Sequence, residues 1–276
     1  MRRLRKSGWG RPFLCGTLIG AGAILPGVSG GALAVAFGVY RPFMEILAHP
    51  KAAVRERWRF LIPLGLGWAA GFLLIARGLN AAMSLSEAVC VWLFVGLIAG
   101  SVPALFREAG KEGRPASSWV CLVLCAAALW TVLYYARHIL HIQAAPNFWW
   151  RNFCGALWGV GTVLPGFSAA PVMMALGLYQ PILDDLSNMD VGALASCLPG
   201  GVVSVALLSK GVSRLFRLHH SAASHGVLGL VCASALSMIP LRYGGAGEVL
   251  LSGIGCGAGF LLAWRMGRMD LETARM

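Results

Sequence analysis

Long apolar runs alternate with short basic connections along the whole chain. The runs cover roughly residues 12–44, 60–76, 88–106, 117–136, 152–183, 191–209, 222–240 and 245–264. Several contain about 17–20 residues without a charge, enough for a helix to cross a hydrocarbon core of about 30 Å. The chain is 58% hydrophobic and only 12% charged, whereas a soluble domain carries about twice that charge. The pattern predicts an all-α, polytopic membrane protein.

Two of the runs, 12–44 and 152–183, are too long for one span, and Pro-Gly-x-Ser interrupts each in its middle. Proline removes a backbone donor and clashes with the preceding helical turn, and the adjacent glycine loosens the backbone further. Each run is therefore either one kinked spanning helix or two half-helices. Two half-helices would form a re-entrant hairpin that leaves the membrane on the side where it entered.

The distribution of basic residues separates these alternatives. If both runs are hairpins, 19 Lys and Arg residues lie in cytoplasmic connections and four lie outside, at Arg77, Arg137, Arg151 and Arg242. If both runs span, the division becomes 14 against nine. Because cytoplasmic loops carry the excess of Lys and Arg, hairpins are favoured. The prediction is then six true spans in a bacterial-type inner membrane, with both termini in the cytoplasm.

The chain also contains an internal duplication. With an offset of 139 residues, 15–42 overlies 154–181 with 13 of 28 positions identical, and further along the offset becomes 133. We predict two repeats, 1–140 and 141–276, each formed by a re-entrant hairpin plus three transmembrane helices. Because three is odd, the second repeat is expected to be inverted. The two hairpin tips would then enter from opposite sides and meet near the midplane.

Each predicted tip exposes backbone amides deep in the membrane, where polar groups need a partner. A helix that restarts after Pro-Gly-x-Ser points free N–H groups and its positive dipole end at the tip, with Ser29 and Ser168 placed as N-caps. Such a tip suits a phosphate or carboxylate. The alternative is that the tips only pack against each other. The predicted substrate-binding residues of the tips are Pro26, Gly27, Ser29, Gly30, Gly31, Pro165, Gly166 and Ser168.

Charged residues close to the hairpins extend the candidate site. Arg77 and Lys210 are repeat-related and end corresponding helices on opposite faces; with Arg41 they are candidates to pair with an anionic headgroup. The alternative for all three is snorkelling to the interface. Glu45 and Asp184, also repeat-related, are candidates for coupling to a proton or sodium ion, with solvated helix ends as the alternative.

Other classes of function lack the residues that they require. The net charge is +12, but the basic residues lie between apolar segments, so no nucleic-acid partner is expected. The eight cysteines form no Cys-x-x-Cys pair, and His138 and His141 lack a third ligand, so neither a metal nor a cofactor is expected. No histidine within a span has the acidic and basic neighbours of a phosphatase, so no catalytic residue is predicted. A membrane enzyme acting on a lipid phosphate remains an alternative.

The motifs resemble, over nearly the whole chain, those of the polyprenyl-phosphate transporters of the PopT type. The likeness rests on residues 25–31 (Leu-Pro-Gly-Val-Ser-Gly-Gly), 37–40 and 94–103, and on the second copies at 164–168 and 177–179. The resemblance implies a flippase that moves undecaprenyl phosphate from the outer to the inner leaflet of the cytoplasmic membrane. This lipid is the carrier of cell-wall assembly, and the movement recycles it.

A lipid phosphate suits such a pair of tips, since the tips would shield its charge while its tail stays in lipid. Inverted broken helices serve a channel or secondary transporter for a small anion or ion equally well, so that alternative stays open. The sequence does not determine the coupling ion, the direction of net flux or the oligomeric state.

Overall fold

The computed structural model describes residues 9–26, 33, 37, 39, 50–138, 147–240 and 242–275. These residues form ten helices and no strand, which confirms the predicted all-α class. The helices are α1 (Gly10–Ile24), α2 (Pro50–Leu85), α3 (Glu87–Ala109), α4 (Ala116–His138), α5 (Phe148–Val163), α6 (Ala170–Ala175), α7 (Tyr179–Ser187), α8 (Val191–Leu218), α9 (His220–Ser237) and α10 (Ala246–Arg275).

Five helical segments are long and apolar enough to cross a membrane, so the chain is a multi-pass membrane protein. They are Trp58–Leu85, Glu87–Ala109, Ala116–Ala136, Val191–Leu218 and Ala246–Arg268. All five coincide with predicted spans. Their outward faces, most extensively on α4, α8 and α10, expose large apolar side chains, as contact with lipid requires.

The sixth predicted span, 222–240, corresponds to α9, which is not among these five. This helix has 18 residues, includes two histidines and four serines, and buries eleven of its residues. A helix surrounded by protein does not need the continuous apolar surface that lipid demands. α9 is therefore a core helix, and its role as a span stays a prediction.

Both long apolar runs contain a helix that ends at the same place in the motif. α1 ends at Ile24 and α5 ends at Val163, which are 139 residues apart, the offset of the duplication. The next residues are extended, with ψ of 123° at Leu25 and 109° at Leu164. The prolines that follow cannot supply the N–H donor that a continuing helix needs, so the predicted interruption is confirmed in both copies.

α1 packs along α2 through glycines that admit the partner's backbone. A side chain on Gly16 would collide with the carbonyl oxygen of Leu64. One turn later, a side chain on Gly20 would collide with the carbonyl oxygen of Trp68. Because the contact advances by four residues in the same direction on both helices, α1 and α2 are parallel.

α5 packs along α8 by the equivalent contacts. A side chain on Gly155 would collide with the carbonyl oxygen of Cys197, and Gly159 faces the backbone of Gly201 one turn further on. α5 and α8 are therefore parallel as well. Parallel neighbours in one chain require the segment between them to return to the starting side, and residues 164–190 make this return through α6 and α7.

α3 pairs with α10 in the same way. Gly96 faces the carbonyl oxygen of Cys256, and Gly100 faces that of Phe260, so this pair is parallel. The fourth extensive pairing joins α4 to α9. α3 is repeat-related to α9, and α4 is repeat-related to α10. The pairing of α3 with α10 therefore corresponds to the pairing of α9 with α4.

α9 also packs along α3 but in the opposite direction. Its first residue, His220, lies beside the end of α3, with Nε2 at 3.6 Å from Glu108 Oε1. Further along, Val227 and Val231 join Phe94 and the rest of the central apolar core. The repeat-related helices α3 and α9 therefore run antiparallel at the centre of the molecule.

Candidate functional site

The second predicted tip is an irregular turn between α5 and α6. Gly166 has φ of +85°, a conformation that residues with a β-carbon rarely adopt. A side chain there would also meet Leu105 of α3. Pro165 and Gly166 are exposed and Ser168 is half-buried. The turn thus brings three of the predicted binding residues together beside α3.

The prediction that Ser168 caps the following helix is wrong. Ala169 occupies the N-cap position with helical backbone angles, φ −73° and ψ −26°, and no side chain caps the helix. A cap at Ser168 would serve the N–H of residue 170 or 171, and Pro171 has no N–H to donate. The serine hydroxyl is therefore not used by the helix.

The amides at the second tip are few. The first turn of α6 leaves its N–H groups, including those of Ala169 and Ala170, without carbonyl partners in the helix. Since α6 contains six residues, its dipole is weaker than that of a full helix. Any anion held here would depend on these amides and on the Ser168 hydroxyl more than on a helix dipole.

The first tip begins where α1 ends, and Pro26 at this point is fully buried. The other predicted binding residues of this tip, Gly27, Ser29, Gly30 and Gly31, lie outside the described residues. Arg41 and Glu45 also lie outside them. Their predicted roles stay predictions.

A tyrosine of the second half contacts the end of the first broken helix. The Tyr179 hydroxyl donates a hydrogen bond to the carbonyl oxygen of Ile24 at 3.3 Å. Tyr179 is only 5% exposed and its ring meets that of Phe94 edge to face, with the ring centres 6.3 Å apart. Nothing in the local sequence predicts this bond, because 155 residues separate its two partners.

The two repeat-related cations have different surroundings. Arg77 Nε donates to the carbonyl oxygen of Ser187 at 3.0 Å, so it satisfies the C-terminal end of α7. Lys210 is exposed on α8 and takes part in none of the ion pairs among the described residues. No hydrogen bond or ion pair joins either cation to the second tip within that part of the chain.

Asp184 lies in a polar network between α7 and α2. Gln180 Nε2 donates to Asp184 Oδ1 at 3.3 Å and to Asn80 Oδ1 at 2.5 Å. Gln180 also lines a cleft of about 250 Å³ with Met83 and Glu87. Asp184 is half-buried, so it is not simply a solvated helix end, and its network partners were not predicted from the sequence.

A bidentate ion pair ties α5 to α7. Arg151 Nε and Nη2 lie 2.8 and 3.0 Å from the two carboxylate oxygens of Asp185. The two side chains are 21% and 12% exposed. The distribution of basic residues placed Arg151 outside the membrane but did not predict its pairing with Asp185. No cluster of three metal-ligating side chains occurs among the residues that the structure describes.

Comparisons with known proteins identify the family of this chain. A family model described as VCA0040-like, undecaprenyl phosphate translocase-like, matches residues 19–246. The chain belongs to this family. A polyprenyl-phosphate transporter of Vibrio cholerae serotype O1 is 24% identical over 245 residues, which cover 83% of this chain and 77% of the relative. No solved structure matches the chain. These matches confirm the family resemblance that was inferred from the sequence motifs.

Proposed function

We propose that the chain is a flippase for polyprenyl phosphate, in particular undecaprenyl phosphate. It moves the lipid from the outer to the inner leaflet of the cytoplasmic membrane and so recycles the carrier of cell-wall assembly. The observation that carries this proposal is the pair of helices that end at equivalent residues, Ile24 and Val163, in a chain of the translocase-like family.

The helix directions support two inverted repeats, 1–140 and 141–276, with re-entrant hairpins. α5 and α8 are parallel, and the chain between them returns through α6 and α7. The repeat-related helices α3 and α9 run in opposite directions at the centre. Six spans with both termini in the cytoplasm fit this arrangement and the distribution of basic residues.

The chemistry of the tips supports an anionic headgroup. Where the backbone is not helical at membrane depth, each unpaired N–H or C=O group costs roughly several kcal/mol unless a polar partner is present. A lipid phosphate supplies that partner, while its tail stays outside the protein in lipid. Pro26, Gly27, Ser29, Gly30 and Gly31 form the first tip in this mechanism, and Pro165, Gly166 and Ser168 form the second.

The basic residues receive the headgroup on the two sides of the membrane. Arg77 serves the outer side and exchanges its bond to Ser187 for the phosphate, whereas Lys210 and Arg41 serve the inner side. Glu45 and Asp184 couple the movement to an ion. The bond from Gln180 to Asp184 supports this role, since it places the carboxylate in a network that spans two helices.

A double substitution in the first tip tests the proposal. Ser29→Ala together with Gly30→Leu removes a hydroxyl and blocks close approach of the headgroup, so we expect no translocation of polyprenyl phosphate in proteoliposomes. Gly211→Leu together with Ser213→Ala is the matched control, because a side chain on Gly211 meets nothing within 4 Å. Wild-type transport by the first variant would contradict the assignment of the tip.

Thermal protection distinguishes the alternatives. A polyprenyl phosphate at about 100 times its Kd should stabilise the purified protein by about 2.7 kcal/mol, while inorganic phosphate alone should not. Equal protection by inorganic phosphate would favour a transporter or channel for small anions. Release of phosphate from the lipid by the purified protein would instead favour an enzyme.

A further inference from the structure

We propose that Tyr179 is a positioning residue for translocation, which holds the end of the first broken helix against the second half of the molecule. This inference rests on the proposed flippase function. It adds that the placement of the first tip, and with it the affinity for the lipid phosphate, depends on one hydroxyl from the other repeat.

The turn before Tyr179 fixes the position of this residue at the start of α7. α6 is closed by hydrogen bonds from the N–H of Gly177 to the carbonyl of Met174 and from the N–H of Leu178 to the carbonyl of Met173, at 3.0 and 2.8 Å. Gly177 has φ of +69°, which glycine adopts without strain. The tyrosine therefore enters α7 directly from the second tip region in one defined direction.

The acceptor is a carbonyl that the break in α1 releases. In a continuous helix, the carbonyl of Ile24 would accept from the N–H of residue 28, but α1 ends at Ile24. Ile24 and Tyr179 are 6% and 5% exposed, so water does not readily replace the phenol. A carbonyl left unpaired there is unfavourable, and the hydroxyl removes that cost.

α7 is anchored well enough to act as a support. Its first residue, Tyr179, bonds to Ile24; its middle is tied to α5 through Asp185 and Arg151; and its last residue, Ser187, accepts from Arg77 of α2. The ring of Tyr179 also packs edge to face on Phe94 of α3. α7 is thus bonded to α2 in the first half and to α5 in the second. The Tyr179 hydroxyl bonds it to the end of α1, where the first break lies.

The test is Tyr179→Phe, which deletes only the hydroxyl. In proteoliposomes containing polyprenyl phosphate, we expect the half-saturating lipid concentration to rise about fivefold, because a net hydrogen bond no longer holds the tip in place. We expect the maximal rate to stay within about twofold, since the tip itself keeps its binding groups. A merely structural role would reduce the amount of active protein without raising the half-saturating concentration.

Tyr243→Phe is the matched control. It also deletes a tyrosine hydroxyl with one hydrogen bond, from Trp92 Nε1 at 2.9 Å, but at an exposed site. Its half-saturating concentration should equal that of the wild type. An unchanged value for Tyr179→Phe, or an equal rise in both variants, would overturn the proposal.

A second variant covers the case in which Tyr179→Phe does not fold. Incorporating 3-fluorotyrosine at position 179 keeps the hydroxyl and makes it a stronger donor, so the half-saturating concentration should match or fall below that of the wild type. A rise of about fivefold would overturn the role of the hydroxyl. If the wild-type protein moves no lipid, both proposals fail. If it does and the half-saturating concentration of Tyr179→Phe is unchanged, only this one fails.

Discussion

The two broken helices, α1 and α5, meet their partners through the same backbone contacts but are secured by different polar groups. Gly16 and Gly155 are repeat-related, and each faces a carbonyl oxygen of the parallel neighbour. In the second half, Arg151 before the break binds Asp185 after it, whereas the first half has Pro12 and Ile46 at the equivalent positions. Duplication has thus retained the close helix packing, where no side chain fits, and has allowed the polar connections to diverge.

Substituting the packing glycines should give the largest effect. Gly16→Leu and Gly155→Leu each place a side chain where the partner's carbonyl oxygen lies, so the helices must separate. We expect destabilisation of more than about 3 kcal/mol and loss of monodisperse protein in detergent by size-exclusion chromatography. Gly78→Leu and Gly211→Leu are matched controls, because both glycines face open space. Equal behaviour of all four variants would show that the shared contact is not what holds the halves.

Breaking the ion pair should have an intermediate effect confined to the second half. Arg151→Met leaves the mostly buried Asp185 carboxylate without its partner, so we expect a loss of about 3 kcal/mol in the free energy of unfolding. Adding Asp185→Asn should restore part of it. The measurement is the thermal midpoint in detergent.

The control for this prediction is Lys111→Met. Lys111 pairs with Glu108 at 2.7 Å, but the side chains are 64% and 49% exposed, so the loss should stay below about 1 kcal/mol. If Arg151→Met were as mild as Lys111→Met, the packing of α5 against α7 would not depend on this ion pair.

The positions of the breaks could be predicted from the sequence because their cause is local. Proline at 26 and 165 removes a donor wherever the chain goes, and the offset of 139 residues marks the copies as equivalent. The contacts that secure the breaks could not be predicted in this way. Tyr179 and Ile24 are 155 residues apart, and no periodicity or spacing connects them.

The assignment of the N-cap at Ser168 failed for a related reason. Serine before a helix is a sound general signal, but its use depends on which amides follow, and Pro171 removes one of them. The predicted sixth span, which corresponds to α9, shows the opposite difficulty. Its apolar content predicted its place, whereas its burial depends on four neighbouring helices that local hydropathy does not reveal.

The central helices α3 and α9 differ in the polar groups that they bury. At the positions of Ser221 and Ser224 in α9, the repeat-related helix α3 has Ala88 and Val91. The Ser221 hydroxyl lies 2.9 Å from that of Ser118 and donates to the carbonyl oxygen of Gly113 at 2.8 Å. The Ser224 hydroxyl is buried and has no hydrogen-bond partner among the residues that the structure describes. The two serines should therefore respond oppositely to the same substitution.

Ser221→Ala and Ser224→Ala should produce the smallest effects, with opposite signs. Ser221→Ala leaves partners unsatisfied in the connection between α4 and α9, so it should reduce the free energy of unfolding by about 1 kcal/mol. Ser224→Ala removes a hydroxyl whose burial is not compensated, so stability should stay equal or rise by a similar amount. Thermal midpoints of the two purified variants, measured side by side, give the sign. A lower thermal midpoint for Ser224→Ala would mean that its hydroxyl has a partner in the membrane-embedded protein, such as bound water. In that case α9 would differ from α3 because of a functional contact and not through tolerated divergence.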